Sequence, residues 1–262
     1  MSDKIDWDPI RALAKRVLDQ GEALELTDDT RALLLRSAHE VAINSEDAES
    51  ALGSLPTATT LLQEIRRRIS DGSRRLSRAR NRAYELRDAG ELDGAQQQMR
   101  DALALEVVPF YRKQAELALE KLAQLAEVSE TGHINANLPD RDQLVILERR
   151  IQQGHALALT DDLLAILRRT APTAAISDAE TEEALTSPKG AEALIRMMLS
   201  RFRDGKQRIT RALFRMTSLR DSGDLDGARQ QMRDVLAVEI VPQYREMAEE
   251  QLKALDKQLS ES

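Results

Sequence analysis

Cysteine is absent from the 262 residues, which excludes disulfides, thiolate metal sites, iron–sulfur clusters and cysteine nucleophiles. Aromatic side chains are nearly absent too. One Trp, three Tyr and three Phe leave few platforms on which a base or a sugar would stack. The three histidines, His39, His133 and His155, are scattered and share no metal-ligand spacing. Glu130 and His133 stand three apart, but in a stretch without periodicity, so they read as a solvated loop pair. Neither a GxxxxGK[ST] nor a GxGxxG phosphate cradle occurs. No apolar run approaches the 18 or so residues a membrane span requires, and the opening MSDKIDWDPI lacks the apolar core of a signal peptide. A cytoplasmic, cofactor-free and metal-free protein is expected. The length suits one large domain or two small ones, and 32% charged residues with a formal net charge of −7 describe a globular, acidic chain.

What the chain does have is an internal repeat at an offset of 133 residues. Leu86–Arg112 reads LRDAGELDGAQQQMRDALALEVVPFYR and Leu219–Arg245 reads LRDSGDLDGARQQMRDVLAVEIVPQYR, identical at 20 of 27 positions. The same offset carries back without a gap to Gly21/Gly154 and to Thr27-Asp28-Asp29/Thr160-Asp161-Asp162. A match of about 90 residues is a duplicated domain. Between the copies, AEVSETGHINANLP (Ala126–Pro139) has no periodicity and holds Gly, two Asn and Pro. The expected organisation is residues 1–126, a linker at 127–137, and residues 138–262.

Helical spacing dominates every long segment, and no strand pattern competes with it. Ile10, Leu13, Ala14, Val17 and Leu18 define a first helix behind Asp8-Pro9, with Gly21 as its stop. Trp7, just ahead of that cap, is expected to staple the helix to the core. Thr27 and Thr160 read as N-caps, and Ser45 and Asp178 as the caps of a short third helix. Ile65, Ile69, Gly72, Leu76, Ala79, Ala83 and Leu86 recur at alternating spacings of 4 and 3. Met198, Phe202, Gly205, Ile209, Ala212, Met216 and Leu219 do likewise. This predicts a helix from about Ala58 to Ala89, unbroken or interrupted at Gly72, with something packed tightly against the glycine backbone. Gly90 and Gly223 end the two long helices, Asp93 and Asp226 begin their antiparallel returns, and Pro109 and Pro242 should kink or divide the returns. The fold class is therefore all-α: a tandem duplication, each copy with short N-terminal helices and a long helical hairpin.

Two likenesses attach to these residues. The span Tyr84–Pro109, with Gly90, Ala95 and Ala102, resembles the turn and second helix of a tetratricopeptide unit, without that unit's Trp-Leu-Gly start or its 34-residue recurrence. The segments Gly21–Asp29 and Gly154–Asp162, together with the LRDxGxLDGAxQQMRD segment of each copy, are similar to the DUSAM domain, a bacterial family of uncharacterised function. That resemblance covers both copies and implies no activity, ligand or catalytic residue.

Arginine is the chemistry that stands above background: 30 Arg against 8 Lys, with eight Arg between Arg66 and Arg82. Arg68, Arg75, Arg78 and Arg82 recur as Arg201, Arg208, Arg211 and Arg215, a stripe flanking the apolar seam. One reading is an anion-binding ridge for nucleic acid, anionic lipid or an acidic partner. The other is ion pairing across the hairpin to Asp93, Asp101 and Glu106, and to Asp226, Asp234 and Glu239. Tyr111 and Tyr244, two residues after a shared proline, read either as packing where the return helix kinks, hydroxyl at the edge, or as a binding hot spot. No histidine is shared between the copies and no shared serine sits on a strained elbow. The expectation is thus a non-enzymatic protein-interaction scaffold with two related modules and an unidentified protein partner. Self-assembly through an uncovered seam is a further possibility. The alternatives are a nucleic-acid-associated protein, against which the pI of 5.2 weighs, and an enzyme with a site in one copy or between copies.

Overall fold

Ser54 begins the longest helix of the first copy: its side chain accepts from the Thr57 amide at 3.4 Å, and Pro56 follows where a missing N–H costs nothing. The computed structural model describes residues 5–260. In it this helix, α4 (Leu55–Ala89), runs unbroken through Gly72 for about 52 Å at 1.5 Å per residue. Its partner in the second copy, α10 (Pro188–Asp221), starts from Ser187 and passes Gly205 in the same way. Gly90, at φ 83°, terminates α4 in the left-handed conformation that glycine adopts without penalty.

Ahead of α4 lie α1 (Asp8–Ala14), extended by a π-helical turn at Lys15–Asp19, then α2 (Asp28–Glu40) and α3 (Ser45–Ala51). After it come α5 (Leu92–Leu105) and α6 (Pro109–Thr131). The second copy repeats the order with α7 (Asp140–Gln152), α8 (Asp161–Thr170), a 3-10 turn at Ala171–Ala174, α9 (Asp178–Ala184), α10, α11 (Leu225–Val238) and α12 (Pro242–Ser260). Among the described residues there is no strand, and the chain is an all-α tandem duplication. The prolines divide the return helices in two: α5 stops at Leu105 before Pro109, and α11 at Val238 before Pro242.

Several boundaries differ from the sequence reading by one or two residues. The short third helices are capped by Asn44 and Ser177, each one residue before the expected cap, because their side-chain oxygens reach the Glu46 and Glu180 amides. Ser177 and Glu180 form a full capping box. The return helices start at Leu92 and Leu225. Helix also persists through Glu127–Thr131, where a linker was expected, because nothing breaks it until Gly132 at φ 76°. Two compact units meet at Ala126/Glu127. Residues 132–139 are an ordered turn, since the buried Gln143 side chain bonds the backbone of Asn135 and Leu138.

The core of the first unit is built on α4, with Leu62, Ile65 and Ile69 buried against Ile10, Leu34, Val41 and Val108. Trp7 is buried there, with its ring centroid 5.4 Å from Phe110 and 5.3 Å from Tyr111, and its indole N–H donates to Glu40 at 3.0 Å. What presses on Gly72 is the Tyr111 ring. A Cβ at that position would stand 2.7 Å from Tyr111 Cε2 and 3.1 Å from Glu106 Oε1. At Gly205 the corresponding distances are 2.8 Å to Tyr244 Cε2 and 3.0 Å to Glu239 Oε2.

Replacing a helical glycine by alanine ordinarily stabilises by about 1 kcal/mol. Here Gly72→Ala and Gly205→Ala are each expected to destabilise by about 1–3 kcal/mol, because the facing ring is buried and hydrogen-bonded and has no room to retreat. Urea unfolding monitored by circular dichroism checks this, and a more stable variant would show that the ring yields freely.

Candidate functional site

The eight stripe arginines lie on α4 and α10, yet they divide into inward and outward groups. Arg68 donates to the Val41 and Ala42 carbonyls at 3.1 and 2.8 Å, and to Glu64 at 2.7 Å. Arg201 does the same to the Ala174 and Ala175 carbonyls at 3.0 and 2.6 Å. Ala42 and Ala175 have positive φ (59° and 58°), so both arginines hold a left-handed chain reversal that alanine adopts at some cost. Arg75 donates to Glu106 Oε2 at 2.7 Å, and Arg208 to Glu239 Oε2. The acids are buried, 4% and 2% exposed, and their second oxygens accept from the two backbone amides that follow: Val107 and Val108 at 3.0 and 2.9 Å, Ile240 and Val241 at 3.0 and 2.9 Å. A buried carboxylate needs a cation and several donors at once, and this one has them.

Tyr111 and Tyr244 belong to the same junction. Their hydroxyls donate to the Ile69 and Phe202 carbonyls at 3.0 and 3.1 Å. Burial pushes the Tyr111 phenol above its ordinary value. Both rings are about 5% exposed, which corrects the expectation of an edge hydroxyl or of a hot spot: a side chain enclosed against a glycine presents nothing to a partner. Sequence reasoning passed over Arg112 and Arg245. Each bonds two carbonyls at the elbow, Leu103 and Glu106 at 2.9 and 2.8 Å, and Leu236 and Glu239 at 2.8 and 2.7 Å. Their identity in both copies was the available signal.

The outward group is Arg78, Arg82, Arg211 and Arg215, all exposed. Arg82 pairs with Glu85 at 2.9 Å, whereas Arg78, Arg211 and Arg215 make no ion pair among the described residues. Asp101 and Asp234 do not reach the stripe; they accept from Gln97 and Gln230 on their own helices, both at 2.7 Å. In the second unit an open groove of about 490 Å³ runs between α10 and α11, with Arg208, Arg211 and Arg215 on one wall and Asp234, Val235 and Val238 on the other. Apolar side chains stand exposed at the end of this hairpin in both copies: Leu105 at 68% and Val107 at 54%, Val238 at 60% and Ile240 at 51%. Phe214 on α10 is 78% exposed, and the first copy has Asn81 at that position. Charge in the groove is close to balanced, because the buried Glu239 pairs with Arg208, and Asp204 and Asp234 line the groove with Arg211 and Arg215.

Among the described residues no group of three or more His, Cys, Asp or Glu is placed to hold a metal ion, and no helix is long and apolar enough to cross a membrane. A family model described as a protein of unknown function (DUF2379) matches residues 5–125 and again 139–255, one match per copy. No curated protein and no solved structure matches the chain.

The division of the stripe is open to test. Arg75→Ala strands the buried Glu106 carboxylate and is expected to cost about 3 kcal/mol, whereas Arg78→Ala should stay within about 0.5 kcal/mol. Equal costs in urea unfolding would contradict the division. Glu64 supplies a second test. Hydrogen bonds, first from Arg67 and then from Arg68, lower its carboxyl from 4.5 to about 2 despite partial burial. The unfolded chain therefore binds this proton more readily, and the stabilisation is complete above pH 4.5 and lost as pH falls toward 2. Glu64→Gln should flatten the pH dependence of stability across that window. Met197 stands at the equivalent position of the second copy, so Met197→Gln should leave the slope unchanged.

Proposed function

Because the chain belongs to the DUF2379 family of proteins of unknown function and carries the family's unit twice, we propose that it is a non-enzymatic adaptor. Each unit engages a protein partner through the end of its hairpin and the free arginines beside it. The observation that carries this reading is the exposed apolar pair at one place in both copies, Leu105 with Val107 and Val238 with Ile240. Isolated apolar residues on a surface need no explanation, but a pair recurring at the same elbow of both copies does. Arginine side chains beside such a patch belong to the composition of interface hot spots, and Arg211 and Arg215 supply them in the second unit. The buried ionisable groups common to the two copies are engaged in holding the hairpin, which supports binding over catalysis. The DUSAM likeness fits here, as a recognition unit used twice in one chain, and a cytoplasmic setting is part of the same reading.

Nucleic acid is the second reading, favoured by the unpaired Arg78, Arg211 and Arg215. The balanced charge of the groove counts against it, since sequence-independent binding to phosphates needs a net cationic track.

Affinity capture with the tagged full-length chain, with and without nuclease, separates these readings. The adaptor reading expects a near-stoichiometric protein that survives nuclease. Its recovery should fall with Val238→Asp/Arg211→Glu and be lost when Leu105→Asp/Arg78→Glu is added, because the second contact of a bivalent binder contributes a factor of about 10²–10⁴. Recovered material that vanishes with nuclease and weakens steeply with salt would establish the nucleic-acid reading instead. Bait alone, with self-association abolished by the same substitutions, would make a second copy of this chain the partner.

A further inference from the structure

The two copies part company where their first helices pack on the long helix. In the first unit α1 is seven residues long and gives way to the π-helical turn Lys15–Asp19, and a pocket of about 320 Å³ opens between α1 and α4. Three guanidiniums, Arg11, Arg66 and Arg74, surround it, with the hydroxyls of Ser70 and Ser73 on the same wall. Ile10, Ala14 and Ile69, all buried residues, form its apolar floor. Arg74 makes no ion pair among the described residues, Arg11 meets Asp8 loosely at 3.5 Å, and Arg66 is held by Asp19 at 2.7 Å.

The duplicated scaffold does not require this pocket. At the positions of Arg66, Ile69, Ser70, Ser73 and Arg74 the second copy has Leu199, Phe202, Arg203, Lys206 and Gln207. There α7 is a full thirteen-residue helix. Its Arg141 lies 4.3 Å over the Phe202 ring, and its Glu148 meets Arg203 at 3.7 Å. The space that is open and cationic in one copy is packed in the other.

We propose that the first unit binds a small phosphate monoester in this pocket. Planar guanidinium forks and hydroxyls match the phosphate oxygens, and the floor takes a short apolar substituent. No aromatic ring lines the pocket, so a nucleobase has nothing to stack on there. Asp19 competes for Arg66. A bound phosphate displaces that carboxylate and releases the end of the π-helical turn, the kind of local departure from α-helix that recurs at functional sites.

Calorimetric titration of the full chain with propyl phosphate and with inorganic phosphate, at fixed ionic strength, tests this. Trp7, the only tryptophan, serves as a local fluorescence reporter because Arg11 lies 5.8 Å over its ring. Saturable binding is expected, with propyl phosphate tighter than inorganic phosphate. Arg74→Ala should weaken it about tenfold, the loss of one charge-assisted hydrogen bond. Asp19→Asn should tighten it by removing the competitor, an effect that nonspecific attraction to a cationic surface would not single out at one carboxylate. Arg211→Ala, in the other unit, should change nothing. Absence of saturable heat, equal response to sulfate and phosphate salts without effect of Arg74→Ala, or an equal loss with Arg211→Ala would each overturn the assignment. Arg74 is exposed and unpaired, so a thermal melt should match the parent and a null result is not excused by unfolding.

Discussion

The contact between the Tyr111 ring and bare backbone at Gly72, repeated by Tyr244 at Gly205, sets the spacing from which the rest of each unit follows. With no Cβ in the way, the ring lies directly on the helix and its hydroxyl reaches a carbonyl of the preceding turn. That approach carries the start of the return segment inward, and the buried glutamate there meets its arginine and two backbone amides at once. A helix interior is a costly place for glycine unless close approach repays it, and close approach is what both copies use it for. The proline that divides the return helix belongs to the same arrangement: it ends α5 and α11 early enough for the glutamate and its amides to turn inward.

Arginine does two unlike jobs along one stripe. Arg68, Arg75, Arg201 and Arg208 lie where the hairpin or the preceding loop covers them, and their forks are spent on carbonyls and carboxylates. Within two turns on the same stripe, Arg78, Arg211 and Arg215 face solvent and make no ion pair among the described residues, while the seam beside them (Leu76, Ala83, Ala212 and Met216) stays buried. The two groups differ in whether a partner from another segment lies within reach.

Duplication has left the hairpin almost unchanged and the first helix free to diverge. The hairpin is constrained by the glycine, tyrosine, glutamate and arginine acting together, so no one of them changes alone without stranding the others. The junction of α1 with α4 carries no comparable lock. In the first copy Trp7, Phe110 and Tyr111 make an aromatic cluster beside an open cationic pocket. In the second, Gln243 replaces the phenylalanine and Arg141 stacks on Phe202. One scaffold therefore presents two alike hairpin ends and two unlike flanks.

Periodicity and the 133-residue repeat were enough to read the all-α class, the duplication, the long helix, the stop at Gly90 and the break before Pro109, because these follow from local spacing and local backbone geometry. The pairing of the glycine with a close neighbour was also legible, though not which neighbour, since Gly72 and Tyr111 are 39 positions apart and only the fold of the hairpin brings them together. The fate of each arginine was beyond the sequence for the same reason. Arg75 and Arg78 share a stripe, and they differ only in whether a carboxylate from another helix arrives within reach. The linker was misread at its start because helix formation is cooperative, and residues 127–131 extend a helix already made. Residue type and spacing determined what this chain folds into; burial, which exists only once distant segments meet, decided which of its charges hold the fold and which remain free to bind.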